Sequence, residues 1–144
     1  MSFGVFSGLN ISVSAMQAER QRMEVTVSNL ANVNSTRTNE GGPYQRRMVV
    51  FKEALDEAHK AQNGGFAGAG VKLDEVAVDS TPAIRVYRPE HPDADKDGYV
   101  NMPNIQTSNE MVDLISASRS YEANATAFKL ARGMYQHALE LGRA

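Results

Sequence analysis

Cysteine and tryptophan are absent from this 144-residue chain, and only 7% of it is aromatic. Without thiols there is neither a disulfide framework nor a thiolate metal site, although the compartment stays open, because an oxidising space also suits chains free of Cys. Strong charge of either sign is missing too. A net charge of −2 argues against nucleic-acid binding, and the local basic cluster Arg46–Arg47 is too short to build a basic face. No apolar run approaches the roughly 18 residues of a membrane span. The chain start lacks basic residues, and Ser2, Ser7, Asn10, Ser12 and Ser14 interrupt its apolar positions, so no secretory signal is visible. By the ordinary rules this describes a soluble, cytoplasmically made protein.

What is present is rhythm. Phe6, Leu9, Val13, Met16, Arg20, Met23, Val27 and Leu30 follow one another at alternating steps of three and four. Met111, Leu114, Ser118, Tyr121, Ala125, Phe128, Arg132, Tyr135 and Leu139 repeat the pattern near the other end. An average step of 3.5 residues keeps an apolar seam facing a partner helix. These seam residues are the expected assembly interface. With 42% hydrophobic and 22% charged residues the composition is globular. Alanine and methionine supply much of the apolar surface, so a protein marginal alone and firmer within an assembly is expected.

The first helix is expected from about Leu9 to Asn32, ended by the polar cluster Asn32, Asn34, Ser35, Thr36, Thr38 and Asn39 and then Gly41, Gly42 and Pro43. The last is expected from Ser108 to Leu141, opened by a Thr107/Glu110 capping box and closed by a left-handed Gly142. Between them, Gln45–Phe51, Val71–Val78 with a bulge near Asp74 or Glu75, Ile84–Val86 and Tyr99–Val100 read as short strands. Gly64, Gly65, Gly68 and Gly70 suggest a loop ahead of the second strand. The expected class is α+β. Residues 1–34 and 107–144 would form one coiled-coil-like helical core, with a β-rich module over 35–106.

Motifs for chemistry are few. Asp93, Asp95, Asp97 and Gly98 reproduce the opening of a calcium loop, but Asn104 stands where its closing Glu is needed, and Pro89 and Pro92 forbid the entering helix. The plain reading is an acidic turn whose Asp side chains cap backbone amides. No Gly-Lys-Ser/Thr follows the glycines, and no serine has a nucleophile context. His59, His91 and His137 lie on three separate elements. Neither a catalytic constellation nor a cofactor is expected. Arg20 and Arg132 interrupt the seams: either their stems cover the groove while the guanidinium reaches solvent, or they meet a carboxylate (Glu19, Glu24, Glu122 or Glu140) on a neighbouring helix and fix register.

The segment Ser28-Asn-Leu-Ala-Asn-Val-Asn-Ser-Thr36, with Asn29, Leu30, Ala31, Asn32 and Asn34 as its signature positions, resembles the motif shared by the axial proteins of the bacterial flagellum: rod, hook and hook-associated subunits. Glu40–Arg47, Tyr87–Val100 and Asn109–Asn124 are similar to blocks of a proximal rod member. The resemblance covers nearly the whole chain and is weakest over 58–70. It implies a structural, non-enzymatic subunit of the proximal rod that assembles through its terminal helices into a hollow helical tube and transmits torque to the distal rod and hook. The implied partners are copies of itself, other rod subunits, the adaptor at the rotor (MS) ring and the flagellar export apparatus. The implied place is the periplasmic rod of the basal body, reached by type III export without a cleaved signal. It implies neither nucleic acid nor membrane insertion. The rival from the residues is a coiled-coil regulatory binding module with a calcium-responsive acidic turn; a second is an enzyme with a site in the central module.

Overall fold

A computed structural model of the chain describes residues 3–39, 41–54 and 70–142, with only the backbone course given over 3–7. Among the described residues, helix α1 spans Phe3–Ala31 and helix α2 spans Thr107–Leu141, with four strands between them. At 1.5 Å per residue the helices are about 40 and about 50 Å long. They run antiparallel: Asn29, late in α1, hydrogen-bonds Glu110 at the start of α2, and Arg22 meets Asp113. The α+β class is as the sequence implied.

The helix ends differ from expectation. Helix α1 begins ahead of Leu9 and carries Gly8 and Asn10 inside it. Their intrinsic cost of up to about 1 kcal/mol each is outweighed by packing along the helix pair. The capping box does not form. The N-cap of α2 is Gln106, in an extended conformation without a side-chain cap, and Thr107 is already helical. Glu110 turns inward instead, because partners described below wait for its carboxylate. Gly142 is right-handed, with φ −79° and ψ −6°, and its N–H bonds the Ala138 carbonyl at 3.1 Å, so it extends the helical ladder rather than reversing the chain.

The strands form two antiparallel ribbons. In the first, β1 (Arg47–Glu53) pairs with β2 (Val71–Val78). Its register runs from Arg47↔Val78 to Val50↔Glu75 and resumes at Phe51↔Leu73, leaving Asp74 as the unpaired residue of a bulge. The two alternation phases in the sequence meant this bulge. In the second, β3 (Ile84–Tyr87) pairs with β4 (Tyr99–Met102). The expectation of a glycine-rich loop falls mostly on 55–69, outside the described residues.

Ribbon β1–β2 rests on α1, and Gly70 shows why a glycine enters β2. Its φ is +101°, and a Cβ there would lie 2.3 Å from Ser14 Oγ. Ser14 Oγ accepts the Val71 N–H at 3.1 Å and donates to the Ile11 carbonyl at 2.8 Å, which pins the strand's start to the helix. Among the described residues the buried apolar set is thin: Ala18, Tyr44, Val100, Ile105 and Ala117. Thr26, Asn29 and Glu110 are buried with them. No helix is long and apolar enough, among the described residues, to cross a membrane.

Candidate assembly interface

The heptad residues divide into two lines per helix, and only one line of each behaves as expected within the chain. On α1, Leu9, Met16, Met23 and Leu30 are half-buried. Their companion line holds half-buried Val13 but exposed Arg20 and Val27, while the side chain of Phe6 lies outside the described residues. The second buried line runs one residue earlier, through Ser12, Glu19, Thr26 and Val33. Helix α2 does the same. Leu114, Phe128 and Tyr135 are half-buried and Tyr121 is just exposed, but beside them lie Glu110, Ala117, Asn124 and Ala131. Of the expected companions, Met111, Arg132 and, beyond Tyr135, Leu139 are exposed; Ser118 and Ala125 are half-buried. Apolar pattern alone selects Met111 over Glu110 and Val27 over Thr26. Polar residues, of which Glu110 and Asn124 have hydrogen-bond partners within the chain, and small residues that let helices approach hold the inner line instead.

Met111, Val112 and Ile115 therefore point away from the inner line, as do Leu130 (64% exposed), Met134 (68% exposed) and Leu141 farther along α2. This outer face is apolar at both ends, with Arg119, Glu122 and Thr126 between. Arg20 bonds Glu24 on its own helix at 2.9 Å, with 72% of its side chain exposed. Within the single chain its stem lies on the surface.

The signature residues build the junction between helices and ribbon. Asn29 is 1% exposed. Its Nδ2 donates to the Arg47 carbonyl at 2.9 Å and to Glu110 Oε2 at 3.0 Å. Its Oδ1 accepts the Arg47 N–H at 3.0 Å and the Tyr44 hydroxyl at 3.1 Å. All four hydrogen-bonding positions of the amide are filled. Glu110, also 1% exposed, takes the Arg46 Nε at 2.6 Å on its other oxygen. Asp113 then lies 3.6 Å from Arg46 Nη2 and 3.3 Å from Arg22 Nη2. Asn32 closes the helix end: Nδ2 donates to the Ser28 carbonyl at 2.9 Å, and Oδ1 accepts from Ser35 Oγ at 3.0 Å. Asn34 and Ala31 are exposed, and Leu30 is half-buried. Sequence reasoning placed Arg46 in a surface cluster and Glu110 in a cap, and so missed their pairing. The i, i+7 spacing of Glu110 and Ala117 was the available signal.

The acidic turn is structural. Asp95 Oδ1 accepts the N–H groups of Tyr99 at 2.8 Å and Asp97 at 3.0 Å, and Oδ2 accepts from Arg85 at 2.7 Å. The Tyr99 amide above all, helped by the Asp97 amide and the Arg85 guanidinium, holds its carboxyl below the usual carboxylate range against the opposing effect of desolvation. Asp93 accepts from Thr36 Oγ1 at 2.7 Å, tying the turn to the loop after α1. Gly98 has φ +79°, and a Cβ would lie 2.8 Å from the Tyr87 ring. Among the described residues no group of three His, Asp or Glu side chains gathers as metal ligands. In the groove of about 480 Å³ between α1 and β2, the Ser14 hydroxyl is already committed to backbone, and no base adjoins it.

Two long terminal helices joined to a small β-rich middle at a polar junction fit the axial-protein resemblance of the signature, and comparison with known proteins places the chain among flagellar rod proteins. Residues 9–37 match the family described as flagella basal body rod protein, and residues 96–141 match the flagellar basal body rod FlgEFG protein C-terminal family. The flagellar basal-body rod protein FlgC of Bacillus subtilis is 43% identical, with 96% of this chain and 98% of that protein aligned. FlgC of Borreliella burgdorferi is 37% identical over 96% and 97%, and FlgC of Salmonella typhimurium 40% over 93% and 95%. The chain belongs to the FlgC family of flagellar basal-body rod proteins. It is a structural subunit of the flagellar rod.

Proposed function

We propose that this chain forms part of the proximal rod, the section of the drive shaft nearest the rotor, and that its terminal helices line a hollow helical tube that carries torque to the distal rod and hook. The observation that carries this is the outer face of α2. Large apolar side chains at both of its ends remain exposed after the intramolecular seam is closed. A monomer that presents Leu130, Met134 and Leu141 to water gains by burying them against other subunits. Head-to-tail contacts that do not close generate an open helical assembly. Rigidity then comes from many helix contacts in parallel, and no turnover is needed.

Copies of the chain and other rod subunits are the partners on this reading, with the adaptor at the MS ring below. The export apparatus delivers the chain through the flagellum to the periplasmic rod without cleaving a signal.

The test is a pair of substitutions on the outer face, Leu130→Glu and Met134→Glu, introduced together. Because both side chains are already solvated, the purified variant should keep the circular dichroism of the wild type. Cells carrying it should make the protein yet lack completed rods and motility. Normal swimming would refute the assignment of this face.

A further inference from the structure

Two consecutive residues of the chain, Arg46 and Arg47, are held by two different helices. Asn29 of α1 grips the Arg47 backbone through both its N–H and its carbonyl. Glu110 of α2 grips the Arg46 side chain at 2.6 Å. A third contact, Asn29 Nδ2 to Glu110 Oε2 at 3.0 Å, joins the two grips directly. Tyr44 closes the group from the loop side, with its hydroxyl on Asn29 and within 3.3 Å of Ser28 Oγ.

We propose that this cluster is a register latch, coupling the docking of ribbon β1–β2 to the closure and rotation of the α1–α2 pair. The first argument is specificity. An amide that bonds both backbone groups of one residue accepts a single position of the strand, and a one-residue slip would turn every β1 side chain to the opposite face. Arg46 must then sit on the side where Glu110 waits. The second is desolvation. A carboxylate that is 1% exposed and loses either Arg46 or the Asn29 amide keeps an unmet demand in a dry place. Neither grip is satisfied without the other. The third is orientation. Glu110 and Asp113 tie down the first turn of α2 on its inner side, and the same rotation leaves Met111, Val112 and Ile115 outside. The register of the ribbon on the helix pair is read at this junction.

The experiment is amide hydrogen exchange on the full-length monomer, following β1 and β2 in Arg46→Ala, Glu110→Ala and the double variant. Each single change should speed exchange throughout the ribbon by about tenfold, as expected for losing a charge-assisted bond. The remote effect is diagnostic, since Glu110 is not in the ribbon. The double variant should exchange no more than about twice as fast as the worse single variant, because one latch has been opened twice. Multiplying effects, or a ribbon whose exchange in Glu110→Ala matches wild type, would overturn the proposal. Should the alanine variants fail to fold, Glu110→Gln with Arg46→Met applies the same comparison at constant volume. The latch rests on intramolecular contacts, so monomer exchange tests it separately from rod assembly: a latch that fails leaves the assembly reading standing, and the reverse also holds.

Discussion

Asn29 does with one side chain what a neighbouring strand does with its backbone, pairing donor to acceptor and acceptor to donor across Arg47. Aspartate has the same outline but the wrong chemistry. It would set an acceptor against the Arg47 carbonyl and a charge against Glu110. Asn29→Asp is therefore expected to cost at least as much as Asn29→Ala, about 2–4 kcal/mol for several buried groups left unmet. Urea unfolding of the purified monomer measures both, and an aspartate variant near wild-type stability would contradict the pairing described. From sequence, Asn29 was legible only as part of a signature. Nothing in a list of residues tells an amide that faces a strand from one that faces water. Arg20 stood between two readings, a stem along the surface or a carboxylate on a neighbouring helix, and within the single chain its stem lies along the surface beside Glu24.

Elements were read better than their edges. Both long helices, the four strands and the bulge at Asp74 follow from periodicity, which records the face each element buries. The start of α1 and the cap of α2 did not, because caps and first turns depend on partners distant in sequence. Thr107 and Glu110 have the spacing of a capping box, but the pull of Arg46 and Asn29 on Glu110 is stronger. The β3–β4 hairpin allows a pH test of its turn. The Asp95 carboxyl is held below its ordinary value by the Tyr99 amide above all, so its contribution is complete above the ordinary carboxylate range. It is lost as pH falls through the lowered, folded-state value. The Tyr99 amide resonance should therefore stay constant from neutral pH down to about pH 5 and titrate only below the ordinary carboxylate pKa of about 3.9. A midpoint at or above that value would show that the turn does not hold Asp95 as described.

At the scale of the whole molecule, two antiparallel helices and two small ribbons share a core of few buried apolar residues, while large ones stay outside. The sequence showed the division into helical ends and a β-rich middle because the hydrophobic period changes between them. It did not show which heptad line turns inward, since that depends on the polar partners that Asn29 and Glu110 find across the fold. That choice matters for the proposed function: the line left out, together with Val112, Ile115, Leu130 and Met134, is exposed on the single chain and is the surface we propose for contact with other subunits. The central claim is that this outer face of α2 is an intersubunit contact in the rod. Electron cryo-microscopy of the isolated basal body at side-chain resolution tests it most directly. The account predicts Leu130 and Met134 packed against helices of adjacent subunits, with the Asn29–Glu110–Arg46 cluster intact inside each one. Leu130 and Met134 facing solvent in the assembled rod would contradict it.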